Sequence, residues 1–400
     1  MAEKRNIPQV RFSGFEKDWE KEKFDDILEK YEDPVATPHD GYERLGVRSH
    51  VKGTFHSYVA PGAELETAQM HRVAANKLLF NITFAWEHAV AITDEDDAGK
   101  LVSHRFPQFT FAPEMDPKFF RYVVADAKFR YHLWLSSPGG AGRNRVLNIP
   151  EMMEYQTYLP EKPEQTMLAD WFSHLDDLIK QHQSKLEKLQ NLRLSMLEKM
   201  FPRSEENVPK VRFKGFDGAW ERMPASELFA AYVDKGHPEL PVLSATQDAG
   251  MVIRDKLGKS VFHEVANEVG YKRVLPGQFV IHLRSFQGGF AHSAIEGITS
   301  PAYTVFGFKE PEKHDDFFWK YVFMSKQFIK RLETVTYGIR DGRSISYDEF
   351  LTLDFLFPTK EEQSLICKYL LNLDSLISMR RQEIDKLQAL KKGLLEKMFV

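Results

Sequence analysis

The chain has 400 residues, of which 42% are hydrophobic and 28% are charged, and at roughly 150 residues per domain it is long enough for two or three domains. Its 54 Lys and Arg against 58 Asp and Glu give a formal net charge of -4, which argues against a uniformly basic nucleic-acid coat but allows a local basic groove. One cysteine excludes an internal disulfide, and no apolar run approaches the roughly 18 residues of a membrane span, so we expect a cytoplasmic protein.

The opening motif of the chain returns in its second half. Residues 8–20 read PQVRFSGFEKDWE and residues 209–221 read PKVRFKGFDGAWE, so eight residues are identical. After each motif, short runs of β-branched and aromatic residues predict strands, among them KLLFNITFAW from Lys77, VSHRFPQFTF from Val102 and GQFVI from Gly277. Helices are predicted over 117–135 and 316–331. Each half therefore predicts an α+β globule with a curved sheet.

Each half ends in a long helix with a heptad repeat, and each helix closes on LEKMF, at Leu197 and at Leu395. Helices of about 35 residues, or about 50 Å, need a packing partner. Connectivity predicts that the two pack antiparallel within the chain, although an intermolecular coiled coil, or packing of each helix on its own globule, is also compatible with the pattern. The predicted coiled-coil interface has two sets of positions: Leu168, Phe172, Leu175, Ile179, His182, Leu186, Leu189, Arg193, Met196 and Met200, and Ile366, Leu370, Leu373, Ile377, Arg380, Ile384, Leu387, Lys391, Leu394 and Met398.

These elements predict an architecture of two similar globules joined by two antiparallel coiled-coil helices, related by an internal pseudo-two-fold repeat. The predicted boundaries are 1–160 for the first globule, 161–203 for the first helix, 204–358 for the second globule and 359–400 for the second helix.

Signatures of catalysis are missing from the sequence. It contains no GxxxxGK[ST] loop, no GxSxG elbow, no HExxH zinc motif, no dinucleotide-type GxGxxG and no Asn-Pro-Pro-Tyr type of tetrapeptide. The glycine-rich SPGGAGRN from Ser137 and the acidic run Asp94–Asp97 are more typical of a surface loop and a solvated turn than of a phosphate site and a metal site. We therefore predict no catalytic residue and no metal ligand, and an enzyme acting alone is disfavoured.

The duplicated openers, the duplicated helices ending in LEKMF, and FQGGFAHSAIEGITSPAYTVF at residues 286–306 resemble the specificity subunit of type I restriction-modification systems. The resemblance covers nearly the whole chain. It implies two target recognition domains, each reading one half of a bipartite, gapped, asymmetric site in double-stranded DNA, and helices that space the domains and dock two methyltransferase subunits. It implies no cofactor for this chain; the methyltransferase subunits would use S-adenosylmethionine, and restriction subunits would use ATP and Mg²⁺.

DNA contact requires Arg and Lys for phosphates, and Arg, Lys, Asn or Gln for base edges. A basic helical patch, Lys326, Lys330 and Arg331, is more typical of a solvated face. A protein scaffold that holds two partners across a helical ruler is the alternative function, which the net negative charge mildly favours. The candidate DNA contacts are Arg48, His50, His104, Arg105, Arg143, Asn144 and Arg145 in the first globule, and Arg284, Gln287, Tyr303, Arg340, Arg343 and Ser344 in the second.

Overall fold

Two α+β globules and two long helices make up the part of the chain that the computed structural model describes, residues 6–64, 69–139, 145–203, 206–246, 249–257, 265–282, 289–332 and 346–399. The chain divides into two units, Met1–Gln183 with Glu383–Val400, and Ser184–Gln382. Each unit holds one globule and a segment of both long helices. The α+β class is confirmed, and the four segment boundaries stay a prediction.

The first globule is built on a four-stranded antiparallel sheet of order β2-β10-β7-β8, beside a five-stranded sheet of order β3-β6-β9-β4-β5 and the pair β1-β11. Its core is rich in phenylalanine, including the fully buried Phe24, Phe80, Phe119 and Phe129. The strands are β1 (Glu20–Lys23), β2 (Leu28–Tyr31), β3 (Pro34–Val35), β4 (Tyr42–Val47), β5 (Thr54–Val59), β6 (Met70–Arg72), β7 (Leu78–Phe80), β8 (Val90–Ile92), β9 (Leu101–Ser103), β10 (Gln108–Phe111) and β11 (Gln156–Leu159), and the helices are α1 (Phe24–Ile27), α2 (Pro117–Val123), α3 (Ala127–Leu135), α4 (Ile149–Met153) and the first long helix, α5 (Lys162–Lys199).

The second globule repeats the central sheet in the order β13-β20-β17-β18 and the terminal pair as β12-β21, with β14-β15 and β16-β19 as further antiparallel pairs. The strands are β12 (Glu221–Pro224), β13 (Phe229–Tyr232), β14 (Leu243–Thr246), β15 (Gly250–Ile253), β16 (Lys272–Val274), β17 (Phe279–Ile281), β18 (Phe290–His292), β19 (Gly297–Thr299), β20 (Thr304–Phe308) and β21 (Asp354–Phe357), and the helices are α6 (Ala225–Leu228), α7 (Asp316–Met324), α8 (Lys326–Leu332), α9 (Tyr347–Phe350) and the second long helix, α10 (Lys360–Met398).

The helices predicted over 117–135 and 316–331 are each two helices, α2 with α3 and α7 with α8. The breaks occur because Asp126 and Ser325 adopt extended backbone conformations. Both first helices begin at an aspartate cap, as Asp116 accepts a hydrogen bond from Lys118 N and Asp315 accepts one from Phe318 N. The repeat thus extends to the local capping chemistry.

Both long helices bury their predicted heptad positions. Every one of the twenty positions is buried or half-buried, including Leu175, Ile179, Leu186, Leu189, Leu373, Ile377, Ile384 and Leu387. In the first unit, Asp176 pairs with Lys391 and His182 with Glu383, so residue numbers rise along α5 as they fall along α10. In the second unit, Arg193 pairs with Asp374. The antiparallel pairing is therefore present within the first unit, and the polar heptad positions carry ion pairs between the helices.

The opening motif of the first globule holds the start of one long helix and the end of the other. Arg11 donates from Nε and Nη2 to the two carboxylate oxygens of Glu164, each at 2.7 Å, and the Glu164 side chain is only 2% exposed. These bonds raise the pKa of Arg11. The Trp19 ring packs edge-on against Phe399, the last residue of the second LEKMF, at 6.1 Å between centroids. We call these two contacts the opener clamp.

The second globule has the same opener clamp. Arg212 donates to Glu362 at 2.7 and 2.8 Å, and Trp220 packs edge-on against Phe201 of the first LEKMF at 6.1 Å. The backbone repeats as well, because Val10 N donates to Lys397 O at 3.0 Å and Val211 N to Lys199 O at 2.9 Å. The duplicated sequence motifs therefore interact with each other in both units.

Removing only one side chain of the Arg212–Glu362 ion pair is expected to lower the free energy of unfolding more than replacing both. Glu362→Ala leaves the guanidinium of Arg212 without its partner in a largely buried position, which we expect to lower the free energy of unfolding by about 3 kcal/mol. The double variant Arg212→Met with Glu362→Leu replaces the pair with apolar groups and should lose clearly less. Urea unfolding of the full chain measures both, and equal losses in the two variants would contradict this role of the pair.

Candidate nucleic-acid interface

The loop between β7 and β8, residues Asn81–His88, is the centre of the candidate site in the first globule, and we call it the reading loop. It includes a short 3-10 turn at Ala85–Glu87. Three segments that carry predicted DNA contacts are joined to it by backbone hydrogen bonds: Ile82 N donates to Arg105 O at 3.1 Å, Leu147 N to Ile82 O at 2.9 Å, and His50 N to Glu87 O at 2.9 Å. Segments distant in sequence are thereby brought to one place.

The tip of the β4–β5 hairpin approaches the reading loop in a strained conformation. His50 and Val51 have φ values of 61° and 52°, which non-glycine residues rarely adopt. The tip is held by Ser49 Oγ, which donates to the Glu87 carboxylate at 2.9 Å. Arg48 is exposed, with its guanidinium over the Phe55 ring at 5.1 Å. Backbone strain of this kind is concentrated at functional sites, where the surrounding structure maintains it.

Arg145 lies between two tryptophans beside the reading loop. Its guanidinium carbon is 4.9 Å from the ring centroid of Trp134 and 5.9 Å from that of Trp86. Trp86 is itself oriented by its indole N–H, which donates to Thr83 O at 3.1 Å. Such cation–π contacts fix the direction of an arginine without neutralising its charge.

Of the remaining candidate DNA contacts in the first globule, two are described by the structure and two are not. His104 and Arg105 have exposed side chains in the turn between β9 and β10. Arg143 and Asn144 lie outside the described residues. The structure therefore brings Arg48, His50, Arg105 and Arg145 to segments that adjoin one loop.

A buried histidine at the end of the reading loop anchors it to the chain after α2. His88 bonds through Nε2 to Val124 O at 2.6 Å and packs against Phe129. Burial lowers the pKa of His88, which keeps the ring neutral near pH 7. His88 is therefore a structural residue of the loop and not a cation for DNA.

Sequence reasoning missed the aromatic residues of this site. Trp86 was part of a predicted strand, and Tyr131 and Trp134 were part of a predicted helix. The sequence does contain a signal for exposed rings, because α3 has large apolar side chains on two faces. Phe129 and Leu133 are buried, whereas Tyr131 and Trp134 are exposed.

In the second globule only Tyr303 of the candidate DNA contacts is described. Its ring lies 6.1 Å from that of His282, the residue after β17, and its carbonyl accepts a hydrogen bond from Lys272 Nζ at 2.7 Å. Burial lowers the pKa of Lys272. Arg284 and Gln287 fall between β17 and β18, where the reading loop falls between β7 and β8. They lie outside the described residues, as do Arg340, Arg343 and Ser344.

The basic patch on α8 is only partly a solvated face. Lys326 and Lys330 are exposed, but Arg331 is half-buried, donates to Asp354 O and lies over the Phe355 ring at 5.7 Å. Burial lowers the pKa of Arg331. The interpretation as a solvated face is therefore wrong for Arg331, which fastens α8 to β21.

The acidic turn at Asp94–Asp97 has internal partners. Asp97 is buried and bonds to His56 Nε2 at 2.8 Å and to Thr54 Oγ1 at 3.2 Å. In the described part of the chain, no cluster of three His, Cys, Asp or Glu is placed to hold a metal ion. Within that same part, no helix has the length and apolar character needed to cross a membrane.

Known proteins share this architecture. No protein-family model matches the chain. A curated protein of Methanocaldococcus jannaschii, named "Putative type I restriction enzyme MjaX specificity subunit", is 21% identical over an alignment of 414 residues that covers 98% of this chain and 95% of that protein. The crystal structure of a type I restriction-modification S subunit from M. genitalium has a TM-score of 0.57 at 14% identity, covering 98% of this chain and 99% of that one.

The chain has the fold of the S-subunit structures that it matches. A second solved structure, from work on complex assembly and conformational transition of the type I system, has a TM-score of 0.52 at 14% identity over 95% of this chain and 97% of that one. The resemblance to type I specificity subunits is thereby confirmed, together with the α+β fold.

Removal of the Arg145 charge is expected to weaken DNA binding and to reduce its salt dependence. Arg145→Ala should lower the slope of log K against log salt by about one unit, because one cation is lost. Arg145→Lys should keep most of that slope. Fluorescence anisotropy with labelled duplex over a salt series measures both, with Lys118→Ala, an exposed lysine on α2, as the control. An unchanged slope and affinity in Arg145→Ala would contradict the assignment.

Proposed function

We propose that this chain is the DNA sequence-specificity subunit of a type I restriction-modification complex. Each globule reads one half of a bipartite, gapped, asymmetric site, and the two long helices space the globules and dock two methyltransferase subunits. The proposal rests on one observation. The two units share a frame, formed by the central sheet and the opener clamp, but differ in the loops after β7 and β17. The two central sheets have the same strand order and the two opener clamps have the same contacts, whereas the connections after β7 and β17 read NITFAWEH and HLRSFQGG.

A shared frame with variable loops suits recognition, because a rigid scaffold positions loops that differ without loss of fold. Since the two loops differ, we expect the two half-sites to differ. The long helices have 38 and 39 residues, about 57 Å at 1.5 Å per residue, which exceeds one turn of B-DNA of about 34 Å. This length supports an unread gap between the half-sites.

In this proposal, the partner subunits carry out the chemical reactions. The methyltransferase subunits bring S-adenosylmethionine and methylate adenine, and restriction subunits that join them bring ATP and Mg²⁺. The chain itself needs no cofactor and contributes no catalytic residue. Such a complex works on chromosomal DNA in the cytoplasm.

A methylation map tests the proposal directly. The chain is co-expressed with the methyltransferase subunit of the same system, and modified adenines are located genome-wide by single-molecule sequencing. We expect a single gapped, asymmetric motif that disappears when this chain is omitted. A stable complex that leaves the genome unmodified would contradict the proposal and would favour a protein scaffold.

A further inference from the structure

The first globule exposes an aromatic surface next to the reading loop. Tyr131 and Trp134 are 61% and 45% exposed, and their rings are nearly parallel, at 11° and 6.1 Å between centroids. They lie three residues apart on α3 and so share one face of that helix. Burying such rings against a ligand yields much free energy, so their exposure marks an interaction surface.

The position of this surface is fixed by the backbone. Leu147 N donates to Ile82 O at 2.9 Å and Asn148 N donates to Ser136 O at 2.7 Å. Residues 145–148 therefore run between the reading loop and the end of α3. This path sets Arg145 against the Trp134 ring, and it makes the aromatic surface continuous with the candidate DNA contacts.

The charge around the surface matches a nucleic acid. The helix α3 has two exposed basic side chains, Lys128 and Arg130, and no acidic one, although the acidic Asp126 precedes it. The His132 ring is engaged elsewhere, since its Nε2 bonds with the carbonyls of Glu151 and Met152. Aromatic rings and the guanidinium plane both offer flat faces on which nucleobases stack. Proteins that bend duplex DNA also use apolar side chains to separate base steps.

We propose that Tyr131 and Trp134 form a stacking surface for a nucleobase in the half-site that the first globule reads. This inference rests on the proposed function and adds a residue-level contact to it. It also assigns the contact to one globule. At a shift of 199 residues, the position of Tyr131 is Lys330, an exposed lysine, so the second globule has no ring at this equivalent position.

The test combines protein variants with DNA variants. The full chain, assembled with its methyltransferase subunit, is titrated with the duplex that the methylation map defines, and with duplexes in which one half-site at a time is scrambled. Tyr131→Ala and Trp134→Ala should each weaken binding to the intact duplex by about tenfold. That loss should vanish when one particular half-site is scrambled and persist when the other is.

Three controls separate stacking from other roles. Tyr58→Ala removes a ring that is 66% exposed on β5, outside this surface, and should leave affinity unchanged. In Tyr131→Ala the slope of log K against log salt should stay as in the wild type, because this side chain is neutral and the cation–π contacts of Arg145 are to Trp86 and Trp134. Trp134→Phe should keep most of the affinity, whereas Trp134→Leu, which is apolar without a π face, should not.

The outcomes are distinct. Unchanged affinity in both alanine variants, or an equal loss with either half-site scrambled, would overturn the stacking surface. So would reduced recovery of the methyltransferase complex in size-exclusion chromatography, because the surface would then bind protein. If the wild-type complex does not prefer the intact duplex, the proposed function itself fails before any variant is compared.

Discussion

The structure depends on the opener clamp, in which one short motif holds the beginning of one long helix and the end of the other. Arg11 reaches the carboxylate of Glu164 near the start of α5, and Trp19 packs on Phe399 at the end of α10. The charge pair is directional and nearly buried, so it fixes geometry more than it adds stability. Because the same contacts recur between Arg212 and Glu362, the helix ends and the globule are oriented together in each unit.

This clamp explains how a variable surface can be carried on a constant frame. Motifs that repeat in the sequence lie in the frame: the openers, the helix starts and the LEKMF ends. The segments after β7 and after β17 do not repeat in sequence, and the first of them is the reading loop at one end of its central sheet. Within the frame, the Asp176 carboxylate links α2 to the long helices, since it pairs with Lys391 of α10 and accepts a hydrogen bond from the Tyr122 hydroxyl at 3.3 Å. Asp374, Arg193 and Tyr321 form the matching set in the second unit.

Periodic features were predictable and non-local ones were not. The heptad positions are correct because burial on a helix follows the sequence spacing directly. The opener clamp could not be predicted, since Arg11 and Glu164 are 153 residues apart and no local rule pairs them. The reading loop could not be predicted either. Trp86 follows an apolar run that resembles one strand, but the chain turns at Asn81. All of the predicted DNA contacts, in both globules, stay predictions.

Because the two loops differ, the two halves of the duplicated frame are not equivalent. A frame with two equivalent readers would recognise a symmetric site and could bind it in either orientation. Here the first globule presents Trp86, Trp134 and Arg145. The loop sequence after β17, HLRSFQGG, has Gln287 and Gly288 at the positions of Trp86 and Glu87. Aromatic stacking responds to base-step deformability, and polar side chains respond to base edges. In the proposed function, two readers with different side chains prefer different half-sites, which would give the complex one orientation on its DNA.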